Sequence, residues 1–235
     1  MTLTLVAVIG VLTVFTSLLS GVFGMAGGMV LAGALIAILP VPEAMALHGI
    51  TQVASNGWRA AFSWQHIRWR TVAAHSLGVV VVLGLWTLLQ YTPTRAVALV
   101  LLGLLPFATR LLPDRFAGDP ARFGHAFGFG LLSQAMMMLA GVSGPVLDQF
   151  FLRGAMERRQ IIATKAVCQT VSHSAKTLYF GSLLAGGATI EALPVIVAIA
   201  ASFVGTAIGK QVLERMTDQQ YRRWAGRIVT VIALY

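Results

Sequence analysis

Two stretches of the chain carry polar side chains at helical spacing inside otherwise apolar sequence. His48, Gln52, Ser55, Asn56 and Arg59 fall at i, i+4, i+7, i+8 and i+11, which is one face of an α-helix. Lys165, Gln169, Ser172, His173 and Lys176 repeat the pattern. Neither stripe contains an acid. A lining of basic, amide and hydroxyl groups suits a small anion, because an amide donates to an oxyanion without adding a fixed charge. Near lipid such groups are costly, and they normally face a bundle interior or a water-filled path. Each residue also has a plainer use. Gln52 and Gln169 could bond one helix to another. Arg59 and Lys176, read as lying near helix ends, could snorkel to the membrane surface. His48 and His173 could exchange protons or serve as structural donors.

Glycine-rich breaks precede both stripes. Ser20–Gly28 reads SGVFGMAGG, and Ala140–Pro145 reads AGVSGP. Gly24 to Gly141 and Gly27 to Gly144 are both separations of 117 residues. The same offset lays Gln52 on Gln169, Ser55 on Ser172 and Arg59 on Lys176. A constant offset through two features marks an internal repeat. A broken helix exposes backbone N–H groups, and a helix N-terminus attracts anions. Close helix packing through small residues is the competing use of such glycines.

Asp148 is the one acid well inside the second apolar limb. It could couple transport to protons, pair with Lys165, or sit at a wet membrane edge. Met136, Met137 and Met138 read as packing residues. The single cysteine, Cys168, aligns with Thr51 and reads as a small interior side chain; one cysteine makes no internal disulfide. The spacing of histidines, cysteines and carboxylates offers no zinc set. A membrane enzyme using His173 or Asp148 as acid or base would lack a convincing nucleophile, metal or cofactor motif. No enzyme activity and no cofactor are expected.

These residues need helices to position them, and the composition says in what solvent. Of 235 residues, 57% are hydrophobic and 11% are charged, against roughly 25% charged in soluble domains. The chain reads as an all-α polytopic membrane protein. The apolar N-terminus has no basic n-region and reads as part of the fold, not a signal peptide. The net charge of +9 resides largely in loops, so it reads as membrane topology and not as nucleic-acid binding.

Helices are expected at 3–19, 29–39, 43–62, 71–90, 94–111, 123–139, a short limb to about 151, 157–178, 190–213 and from about 219. Pro40 and Pro42 end the second limb, and Glu43 lies in the first turn after it. Trp58, Trp64 and Trp69 fit an interfacial belt. Residues 1–111 form a first repeat, 112–122 a polar linker and 123–235 a second repeat. Each repeat is a glycine-broken helical hairpin followed by three transmembrane helices. Basic loops at 64–70, 112–122, 153–159 and 214–223 read as cytoplasmic, with the 91–94 turn and the 181–189 loop outside. Three helices after each hairpin then give the halves opposite orientation, the inverted repeat of alternating-access carriers.

The chain resembles the sulfite exporter TauE/SafE family of membrane permeases. GVFGMAGG before an apolar limb, the HGITQVASNGWRA helix, and their repeats AGVSGP and KAVCQTVSHSAKT carry the likeness, which covers nearly the whole chain. Pro145 stands where the first half has Gly28, so the two sides of the site are unequal. The resemblance implies a secondary transporter of a small anion, sulfite or an organosulfonate, in a bacterial inner membrane. A proton or sodium ion is the candidate coupling partner. Gly24, Gly27, Gln52, Ser55, Asn56, Gly141, Gly144, Gln169, Ser172 and His173 are the candidate substrate residues. Asp148, His48, Lys165, Arg59 and Lys176 are the candidates for coupling or gating. An anion channel is the nearest alternative.

Overall fold

The computed structural model describes residues 1–23, 26–111, 118–152, 156–184, 191–217 and 220. Within them the chain forms nine α-helices: α1 Leu3–Phe23, α2 Ala26–Ile38, α3 Val41–Phe62, α4 Trp69–Leu89, α5 Arg95–Arg110, α6 Phe123–Ala140, α7 Gly144–Leu152, α8 Arg158–Leu184 and α9 Ala192–Arg215. A single 3₁₀ turn, Trp64–His66, joins α3 to α4. The expected helix from about 219 and Gly24 of the first break lie outside the described residues.

Local chemistry explains most helix ends. Pro40 caps α3, with Pro42 and Glu43 in its first turn, where a missing N–H costs nothing and an acid meets the positive end of the helix. Gln90 closes α4 in the left-handed region at φ 51°. Thr94 caps α5, its hydroxyl accepting from the Val97 N–H at 3.3 Å. Gly141 closes α6 at φ 79°, a conformation that glycine adopts without penalty.

Four segments are long and apolar enough to cross a membrane: Leu3–Val22, Trp69–Leu89, Phe123–Ala140 and Ala192–Val212. The chain is a multi-pass membrane protein. α3 and α8 have 22 and 27 residues, so length alone would let them span. Their polar faces keep them out of that apolar set. The two helices pack on each other and put those faces inside.

Two other helix pairs flank them. α1 packs on α9, and α4 packs on α6. Both contacts bring backbone against backbone. A Cβ on Gly205 of α9 would lie 2.3 Å from the Val14 carbonyl oxygen, and one on Gly130 of α6 would lie 2.3 Å from that of His75. In lipid, where apolar burial supplies little drive, such close approach is what holds helices together. At the 117-residue offset α1 corresponds to α6 and α4 to α9. The packing partners are therefore exchanged between the halves.

Two details differ from the sequence reading. Ser20–Gly28 is mostly helical, with α1 continuing through Phe23 and α2 beginning at Ala26. α2 folds back so closely that a Cβ on Gly27 would sit 1.6 Å from the Thr16 carbonyl oxygen. Residues 181–184, expected in the Gly181–Thr189 loop, are helical, because α8 runs on to Leu184; residues 185–189 of that loop lie outside the described residues. Burial of Tyr179, Phe180 and Leu184 in the core holds this last stretch helical through Gly181.

Candidate functional site

The first turns of the two short helices face one small pocket. Gly28 and Met29 of α2 line one side; Val142, Ser143 and Gly144, at the entrance to α7, line the other. His48, Gln52 and Arg59 enter from α3, and Gln169 and His173 from α8. No carboxylate is among these residues. The room for the centre of a water-sized molecule is about 10 Å³, roughly what one water needs. The pocket is therefore nearly closed in this conformation.

Each wall has a local reason. Gln52 lies beside Gly28 of α2: a Cβ on Gly28 would meet the Gln52 Oε1 at 3.4 Å, an ordinary contact. Along α3, Asn56 donates to the Gln52 carbonyl at 2.9 Å, and Arg59 donates to the Asn56 Oδ1 at 2.7 Å. This ladder ties three stripe residues together and aims the arginine along the helix. At the second break the α7 first turn leaves backbone N–H groups without intrahelical acceptors. Pro145 occupies one of these positions and has no N–H to offer, so this side supplies one donor fewer than Gly28 would.

His48 and Lys176 connect the two breaks. The His48 Nε2 lies 2.9 Å from the Gly28 carbonyl oxygen. Lys176 Nζ lies 2.7 Å from His48 Nδ1 and donates to the Gly141 carbonyl oxygen at 2.8 Å. A carbonyl can only accept, so Nε2 carries the imidazole hydrogen and Nδ1 accepts from the lysine. The His173 ring stands edge-on to His48, centroids 5.4 Å apart. Lys176 is fully buried, with eight residues of α8 after it. Snorkelling does not describe it; the longer helix removes the nearby end that snorkelling would need.

The other sequence-predicted residues separate by location. Ser55 leaves the pocket and bonds Thr206 of α9 at 3.1 Å. Ser172 is buried outside the lining, its hydroxyl unpartnered among the described residues. Gly27 is pressed against α1. Gly141 carries the αL turn and the carbonyl that Lys176 holds. Asp148 of α7 forms an ion pair with Lys165 of α8, both side chains largely buried. Cys168 is buried in an apolar cluster. Among the described residues no three His, Cys, Asp or Glu gather as a metal site. Several polar atoms at the pocket have no partner among the described residues: Ser143 Oγ, His173 Nδ1 and Arg59 Nε. Sequence reasoning had not singled out Gly28 or Ser143 as lining, although both sit inside the quoted glycine motifs. Nothing in the sequence pointed to Thr206.

The model of the sulfite exporter TauE/SafE family matches residues 9–235. The chain belongs to the TauE/SafE family. It is 30% identical over 200 residues to the probable sulfite/organosulfonate exporter TauE of Cupriavidus necator, covering 78% of this chain and 76% of that protein. No solved structure matches it. Membership places the chain among membrane transporters of small anions, a family of exporters and not of enzymes. A pocket without acids, between helix N-termini, is chemistry that fits such a cargo.

Proposed function

We propose that this TauE/SafE protein exports a sulfur oxyanion, sulfite or an organosulfonate, from a bacterial cytoplasm by alternating access. The family and the Cupriavidus necator relative support the substrate class. The observation that carries the site is the convergence of Gln52 and Gln169 on one acid-free pocket between the starts of α2 and α7. In this reading the anion accepts from both amides, from Arg59 and from first-turn N–H groups. Ser55, Asn56 and Ser172 support those helices from behind, and Gly24, Gly27, Gly141 and Gly144 shape the breaks.

The halves act as inverted repeats, 1–111 and 123–235 about the 112–122 linker. The exchanged packing of α1 on α9 and α6 on α4 supports that reading. Rocking of one helix set against the other exposes the pocket to each side in turn. Asp148, with its partner Lys165, is the coupling pair. Asp148→Asn should lose proton-driven accumulation while anion binding stays measurable; equal loss of both would give Asp148 a structural role instead.

The deciding experiment is direct titration of sulfite and of a short sulfonate on purified, monodisperse protein. Losing one hydrogen bond to a charged ligand costs about 1.5–3 kcal/mol, so Gln52→Leu and Gln169→Leu should each weaken binding about ten- to a hundredfold. Unchanged affinity in both variants would reduce the glutamines to helix–helix contacts and remove this site.

A further inference from the structure

Inverted repeats raise a question of balance. If a carrier changes sides by letting each half take up the other's conformation, identical halves would give two states of equal energy. The bonds in this chain are not identical. His48 corresponds to Lys165 at the 117-residue offset, and Lys176 to Arg59. His48 bonds Lys176, a cross-half pair. Lys165 instead pairs with Asp148 of its own half, and the residue corresponding to Asp148 is Leu31, which cannot form that pair. Arg59 bonds Asn56 on its own helix.

The cross-half chain is unusual in where it runs. It begins at the Gly28 carbonyl, passes through the His48 imidazole and the Lys176 Nζ, and ends at the Gly141 carbonyl. Gly141 is the C-terminal cap of α6, and the Lys176 donor satisfies a carbonyl that the helix end leaves without an intrahelical partner. Every link lies in the protein interior, where breaking a bond leaves a polar group unsatisfied. The chain fastens α2 to α3, α3 to α8, and α8 to the end of α6. It therefore touches both breaks and ties α2 and α3 of the first half to α8 and α6 of the second.

We propose that His48 and Lys176 are positioning residues that latch the carrier in the nearly closed conformation seen here and so set its resting state. The inference rests on the exporter reading for the motion it restrains, but not for its test. Opening the pocket requires the His48–Lys176 bond to part. No equivalent His–Lys bond forms when the halves exchange roles, since the corresponding Lys165 and Arg59 are both donors and neither can accept from the other.

The test uses ligand-free protein. Spin labels at Phe62→Cys and Phe123→Cys, exposed positions on α3 and α6, report the spacing of helices that the latch fastens across the halves, on a Cys168→Ala background. Lys176→Met and His48→Leu should each move the ratio of distance populations by at least about fivefold. The double variant should add little to either. His48→Gln should keep the parent distribution, because its amide can donate to Gly28 and accept from Lys176 as the imidazole does. An unchanged distribution in Lys176→Met and His48→Leu overturns the latch, and does so equally if melting temperature falls, since that marks a purely structural bond. Should the parent protein bind no sulfur oxyanion, the exporter reading fails while these distances still judge the latch.

Discussion

At the residue scale, the glycines divide sharply by what surrounds them. A Cβ on Gly130 would collide with the His75 backbone, whereas one on Gly128, two residues earlier on α6, meets nothing within 4 Å. Gly130→Ala should therefore cost about 1–3 kcal/mol from overpacking and lower the melting temperature in detergent. Gly128→Ala should leave it level or raise it, since alanine is the better helix former by up to about 1 kcal/mol. Thermal unfolding of the two variants side by side checks this. The Asp148–Lys165 pair makes a second residue-scale expectation. Removing one partner leaves a largely buried charge alone, and removing both does not. Asp148→Asn and Lys165→Gln should each lower stability, and the double variant should recover most of the loss in a double-mutant thermal cycle.

At the element scale, the 3.6-residue stripe and the constant offset made α3 and α8 readable as a matched pair, along with their internal positions for Gln52 and Gln169. The prolines and glycines placed most helix ends within a few residues. Gly181 misled, because a glycine facing open space does not end a helix whose next turns are anchored in the core. The same error hid Lys176: with α8 thought to stop at about 178, a lysine near its end reads as surface-seeking. Stripe periodicity told which face a residue occupies but not its partner. Ser55 and Gln52 share a face by spacing, yet one reaches α9 and the other the pocket, because neighbouring helices divide that face between them. Nothing in a single sequence encodes that division. An expectation follows for the elements themselves: Ser55→Ala should lose the Thr206 bond and some stability while leaving anion affinity within about twofold, because a neutral hydrogen bond is worth only about 1 kcal/mol and this one does not touch the pocket.

At the scale of the whole molecule, the basic loops predict how the bundle sits in the bilayer. Arg68 and Arg70 lie exposed at the start of α4, and the turn after α4 at Tyr91–Thr94 carries no basic residue before the single Arg95 that opens α5. Single cysteines on a Cys168-free background should be labelled from the cytoplasm at residues 65, 118 and 157, and from outside at residue 92. Labelling of residue 118 or 157 from outside in intact cells would reject the opposed arrangement of the halves.

The pairing of α1 with α9 has a consequence for how the protein is made. α1 leaves the ribosome well before its partner, which begins at Ala192. At ordinary synthesis rates that is a wait of about ten to thirty seconds. During it, the face of α1 that will meet Gly205 has no mate, and the hydroxyls of Thr13 and Ser17 on that helix are left among lipid or insertion machinery. α4 waits far less, since α6 follows within the same stretch of synthesis. The partners of the two flanking pairs thus become available in a fixed order, α6 for α4 first and α9 for α1 last. A ribosome that stalls after the linker leaves the α9-facing side of α1 uncovered, a natural target for membrane quality control.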